Sequence, residues 1–242
     1  MSGMLAIEWN KEKRTGIIPV LLSVGILGAA YAFLNYAVRK ESLLSLDMAP
    51  MDILLTQLYG MLTLLNMLGI IVASCMIYNM EFKGNAIRKM YMLPVSVPRL
   101  YLCKSAIITV TFGMADIIQF AALAVIGAKY LPAGTFDPFL LIKFAGYAFV
   151  TSLPVITFMI LVSSIPENIW ISLGMGITGL LSGIALANSS IRLVLIHPFV
   201  TMFQPAMAMS SEPDGLVISI SVIISAVFLI TGLWISKNKN RE

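Results

Sequence analysis

The side chains of this chain that could do chemistry are few and far apart. Asp116 sits inside a long apolar run, Gln119 stands three residues further on, and Asn66 lies inside a second such run. A charged side chain at membrane depth costs about 2.5–3.5 kcal/mol unless it is paired or hydrated, so Asp116 has to face protein or a cavity. Two readings follow. Asp116 is an electrostatic contact for a cationic ligand or a switch in a transport cycle, or it is a structural hydrogen-bond partner of Asn66 or Gln119. His197 is the only histidine, next to Pro198, so no multi-histidine metal site can be built and a turn or interface role is expected. Cys75 and Cys103 show neither a disulfide framework nor metal-ligand spacing. There is no H-E-x-x-H, no G-x-S-x-G and no pair of intramembrane aspartates, so no catalytic residue and no bound metal is assigned.

The elements that must carry these residues follow from hydropathy. The 242 residues are 59% hydrophobic and 12% charged, with a mean hydropathy of +0.92; soluble domains carry about 25% charged residues. Apolar runs of 18 or more residues recur, each long enough to cross a hydrocarbon layer of roughly 30 Å as a helix. The expected fold is therefore an all-α integral membrane protein with spans near 16–37, 53–79, 105–128, 139–163, 168–187 and 216–236, forming a single transmembrane domain over 1–242. The runs are continuous rather than alternating, which disfavours a β-barrel.

Lysine and arginine set the orientation, because cytoplasmic loops retain them during insertion. Eleven fall before the first span, between the second and third, and after the sixth, against five on the other side. Both ends are therefore placed in the cytoplasm. The net charge of +4 belongs to these clusters, so it is no argument for nucleic acid. The first apolar run is too long for a secretory signal and meets Arg39 and Lys40 at its end, so it is taken as a permanent helix.

Residues 1–15 suit an interfacial elbow helix, although Met4, Leu5, Ile7 and Trp9 do not gather on one helical face. The link between spans four and five is only Ser164, Ile165, Pro166 and Glu167, which makes those helices antiparallel neighbours. The external segment 188–215 is long and apolar enough to dip back into the membrane's outer edge. The cytoplasmic connection 80–104 carries Ile87, Met90 and Tyr91 at helical spacing beside Lys83, Arg88 and Lys89, and Pro94 ends the pattern. A short amphipathic helix on this loop is either a docking element or a set of topogenic anchors.

An acidic residue followed by Gly84 at the end of the second span, a short helix, then Leu93-Pro94-Val95-Ser96, Leu100-Tyr101 and Lys104 resembles the first coupling segment of type-2 ABC exporter permeases. Length, six spans and the N-terminal elbow agree with it. The stretch Glu8-Trp9-Asn10-Lys11-Glu12-Lys13-Arg14 is similar to that of lantibiotic-immunity permeases. The resemblance implies that Glu81, Phe82, Lys83, Gly84, Ile87, Arg88, Lys89, Met90 and Tyr91 meet a separate ABC ATPase subunit, with Pro166, Glu167 and Asn168 as a second contact. No G-x-x-x-x-G-K-[ST] phosphate loop occurs in the chain, so ATP and Mg would be bound by that partner, present in two copies. It further implies a second, related permease, a multi-pass location in a bacterial cell membrane, and an amphiphilic peptide as cargo.

Asn66, Asp116, Met202 and Met207 are the candidates for the substrate path; sixteen methionines give adaptable apolar surface, and Met202, Met207 and Met209 cluster externally. Gly179 and Gly183, in G-x-x-x-G spacing, mark a packing face or a movable seam. The leading expectation is a non-enzymatic permease of an ATP-driven exporter of a lantibiotic or similar peptide. The alternatives are export of another amphiphile (a drug, a lipid or a polysaccharide precursor) and an ion-coupled carrier using Asp116.

Overall fold

The computed structural model describes residues 2–82, 96–132, 134–187, 189 and 191–238. Helix α1 (Ser2–Thr15) runs into α2 (Ile17–Leu44) through Gly16. The short α3 (Pro50–Asp52), a π-helical stretch (Ile53–Gln57) and α4 (Tyr59–Phe82) follow one another and read as a single apolar span. Then come α5 (Val97–Tyr130), α6 (Pro138–Ser163), α7 (Ile169–Ala187), a 3-10 turn (Arg192–Ile196), α8 (Pro198–Met207) and α9 (Gly215–Asn238). Six helices are long and apolar enough to cross a membrane, and no strand occurs among the described residues. The protein is a multi-pass membrane protein.

Burial separates inner from outer helices. The apolar windows of the Pro50–Phe82, Val97–Tyr130 and Pro138–Ser163 spans are 61%, 56% and 67% buried, whereas those of α7 and α9 are 22% buried and face outward. Helix α2 packs most extensively on α5, and α9 on α6. Two clusters of buried apolar side chains fill the bundle. One gathers Ile17, Leu21, Tyr78, Tyr101, Ile108 and Val155 from the end that bears the chain's N-terminus and reaches Phe199, Met202 and Phe203 of α8. The other gathers Tyr36, Leu54, Leu62, Phe120, Leu123 and Phe144 toward the opposite end.

Helix starts follow local rules. Pro50, Pro98, Pro138 and Pro198 occupy first-turn positions, where a missing N–H leaves no bond broken. Asp137 caps α6, its carboxylate accepting from the Phe139 and Leu140 amides at 2.8 and 3.3 Å.

Two boundaries differ markedly from those read in the sequence. The first span continues through Arg39 and Lys40 to Leu44, because both cations stay exposed and can lie in the headgroup layer. The third begins at Val97 rather than 105, taking residues 97–104 out of the expected connection. That extension brings Lys104 inside the bundle, where carboxylates compensate it. The external segment 188–215 does turn inward: α8 buries Phe199, Val200, Thr201, Met202 and Phe203. As a result α7 packs chiefly on α8 and α4, and less on α6, its neighbour across the short link.

Gly16 has φ +84°, in the left-handed region, and so turns the elbow into the first span. A side chain there costs about 1–2 kcal/mol. Gly16→Val is expected to lower the thermal unfolding midpoint in detergent. Gly174→Ala, with nothing within 4 Å of the added carbon, should leave that midpoint unchanged or raise it.

Candidate functional site

At the end of the bundle that bears the N-terminus, the elbow meets both helices that flank the expected coupling connection. Lys104, on the second turn of α5, has no exposed surface. Its ammonium lies 2.8 Å from Glu81 at the end of α4, 3.4 Å from Glu8 and 3.5 Å from Glu12, both on α1. Glu8 and Glu12 are one helical turn apart, so a single face of α1 presents both. Lys11 bridges Glu81 at 3.1 Å and Glu8 at 3.5 Å. Lys104 also donates to the Ile77 carbonyl at 3.4 Å and lies 5.5 Å from the centre of the Tyr78 ring. The Thr15 hydroxyl donates to the other Glu12 oxygen at 2.8 Å. Three carboxylates thus surround two ammonium groups, and they join α1, α4 and α5.

This arrangement explains the weak apolar face of the elbow. Helix α1 turns its carboxylates inward, with Glu8 6% and Glu12 0% exposed, and Ile7 outward at 69%. It is held by buried charge, not by the apolar residues expected of an interfacial helix. The signal available in the sequence is the Glu8/Glu12 spacing, together with one cation and one carboxylate at the ends of adjacent spans.

Of the residues expected to meet an ATPase, Glu81 is 3% exposed and engaged with Lys104 and Lys11, and Phe82 packs at the edge of the core. Lys83, Gly84, Ile87, Arg88, Lys89, Met90 and Tyr91 lie outside the described residues. Glu167 and Asn168 are exposed in the turn between α6 and α7, with Pro166 half-buried beside them, and the Asn168 side chain accepts from the Trp170 amide at 3.0 Å.

At mid-membrane depth, Asn66 and Gln119 exchange two amide hydrogen bonds of 3.0 and 2.7 Å, and Gln119 also donates to the Val24 carbonyl at 3.3 Å. Gly25 and Gly28 make this possible. A Cβ on Gly28 would come within 2.5 Å of the Gln119 amide nitrogen, and one on Gly25 within 2.9 Å of Ala115. Asp116 is 4% exposed, and its Oδ1 has no hydrogen-bond partner among the described residues. The Asn66 and Gln119 side chains pair with each other rather than with Asp116.

Across the membrane, Phe199 covers both glycines of the G-x-x-x-G pair: a Cβ on Gly179 would come within 2.5 Å of it, and one on Gly183 within 2.6 Å. The two therefore seat α8 against α7. His197 caps this contact, its Nε2 lying 3.1 Å from the Ser182 hydroxyl, and burial pushes the imidazole below its ordinary range. Met202 is fully buried on the inner face of α8, whereas Met207 is exposed at its end.

A family model described as ABC-2 family transporter protein matches residues 4–183, which spans the elbow, four membrane helices and most of a fifth. The chain belongs to the ABC-2 transporter family. No curated protein and no solved structure matched it. An ABC-2 permease is the membrane component of an ABC transporter, and its work is transport rather than catalysis. In this permease the ion cluster lies within the matched region and ties the elbow to both helices that lead into the 83–95 connection.

Removing one member of a buried ion cluster leaves uncompensated charge and costs about 3–5 kcal/mol. Lys104→Met is therefore expected to lower the thermal midpoint in detergent sharply, and adding Glu81→Gln should recover part of the loss. Arg99→Met, at an exposed position one turn earlier, should stay within about 0.5 kcal/mol.

Proposed function

We propose that this ABC-2 permease is the membrane subunit of an ATP-driven exporter that expels a lantibiotic or similar antimicrobial peptide from a bacterial cell membrane, giving self-immunity or resistance. A separate ATPase subunit in two copies, binding ATP and Mg, docks on the connection around Arg88 and Lys89, and a related second permease completes the pore. The observation that carries the coupling part of this reading is the buried cluster of Lys104, Glu8, Glu12 and Glu81. A push on the connection reaches α4 and α5 directly, and the cluster ties the elbow to them. Domain closure is then passed on as rigid-body motion. The peptide reading is supported by the N-terminal Glu8-to-Arg14 stretch and by the short external connections after the first and third spans, which suit cargo already inserted in the outer leaflet.

Asp116 favours a second reading. A buried carboxylate with an unpartnered oxygen is what an ion-coupled carrier needs, whereas membership in an ABC family supports ATP as the energy source.

Affinity purification of the chain from its native membrane in mild detergent should recover an ABC ATPase, and Arg88→Glu/Lys89→Glu should lose it while the permease stays folded. Deleting the chain should then sensitise cells to the cognate peptide. If the folded wild-type chain brings down no ATPase and Asp116→Asn abolishes transport, the carrier reading replaces this one. Recovery of the ATPase with unchanged peptide sensitivity would point to another amphiphile as cargo.

A further inference from the structure

On the side opposite the ion cluster, a pocket of about 350 Å³ opens between the outer end of the second span and α8, within the size range of small-ligand sites. Gln57, Gly60, Met61, Phe203, Met207 and Met209 line it. Three local features shape it. Residues Ile53–Gln57 form a π-helix, a widening that recurs at functional sites. Met209 has φ +50°, a conformation that non-glycine residues adopt at a cost and that gathers at ligand clamps. The Asp52 carboxylate accepts from the Ser211 amide at 2.7 Å and so ties the chain after Met209 to the π-helix. Small residues keep the pocket open: a Cβ on Gly60 would meet the Ala206 methyl at 3.9 Å and nothing nearer.

The chemistry of the walls selects the occupant. No charged side chain lines the pocket among the described residues. Met61, Met207 and Met209 are 47%, 38% and 65% exposed around it, and thioethers on flexible stems conform to irregular aliphatic groups. Gln57 supplies one polar contact at the rim. Met61 also begins an exposed stripe on α4 that continues through Leu68 and Val72, so the pocket is reached sideways from the bilayer. An unfilled pocket of this kind forfeits dispersion contacts along its walls, and the molecules at hand to restore them are outer-leaflet chains. We infer that the pocket bounded by Gly60, Phe203 and Met207 binds the acyl chain of a single-chain, outer-leaflet amphiphile, with its uncharged linkage at Gln57. This goes beyond the exporter reading and does not depend on which cargo is moved.

The test uses the full-length chain in phosphatidylcholine nanodiscs containing a trace of lysophosphatidylcholine with a diazirine on its acyl chain. After irradiation, adducts are mapped by mass spectrometry. Adducts at 60–64 and 203–209 should exceed those at the more exposed stretch 222–230 of α9. Excess unlabelled lysophosphatidylcholine should remove the first set and spare the second. Gly60→Leu and, separately, Ala206→Leu should abolish pocket labelling while α9 labelling persists, which also reports that the variant is folded. Labelling that follows exposure alone, resists competition in the wild-type protein, or survives both substitutions would overturn the site. The ATPase-recovery experiment is untouched by this outcome, so the two readings fail separately.

Discussion

Lys104 is a cation with no exposed surface, and the end of the molecule that bears the N-terminus is organised by that fact. An ammonium in a low-dielectric interior is tolerated only when carboxylates surround it with good geometry. Here one comes from the end of α4 and two from the elbow. The start of the helix after the connection is therefore compensated by the preceding span and by the elbow together. The elbow in turn is fixed by charge rather than by an apolar face, and Gly16 supplies the backbone turn that lets it lie there. An element joined in this way to the start of α5 and the end of α4 moves with them.

Lipid sets a second constraint. With no hydrophobic drive between helices inside a bilayer, close packing and internal hydrogen bonds must hold the bundle. The structure meets this by pairing small residues with specific partners: Gly25 and Gly28 against Ala115 and Gln119, Gly179 and Gly183 against Phe199. The reciprocal Asn66–Gln119 amide pair satisfies two buried polar side chains between the two apolar clusters. Asp116 lies one turn from this pair with a buried oxygen left unpaired, and it keeps a ligand or cycle role open beside a structural one.

The bundle is legible in the sequence because apolar run length and the Lys/Arg distribution report directly on membrane crossing. Six spans, their order and the elbow follow from those signals alone. What stays hidden depends on contacts distant in sequence. Glu8 and Glu12 lie about ninety residues before Lys104, and in the sequence each reads as an ordinary solvated or topogenic charge. The start of α5 at Val97 is obscured for the same reason, since Lys104 resembles the end of a loop until its partners are known. Helix α8 is visible only as an apolar surplus in 188–215, because ten residues are too short to declare a direction. The outer pocket leaves a trace in the external methionines, but its π-helix and the left-handed Met209 carry no sequence signature.

Whether the carboxylates of α1 hold the elbow to the third span as one body can be read from the distance between spin labels at Ile7→Cys and Val110→Cys, both exposed, in a background with Cys75 and Cys103 replaced by alanine. A narrow distance distribution is expected in the otherwise native chain and a broad one in Glu8→Gln/Glu12→Gln, which leaves the Lys104–Glu81 pair in place. A distribution that stays equally narrow in the double variant would show that the elbow is held by something other than these charges.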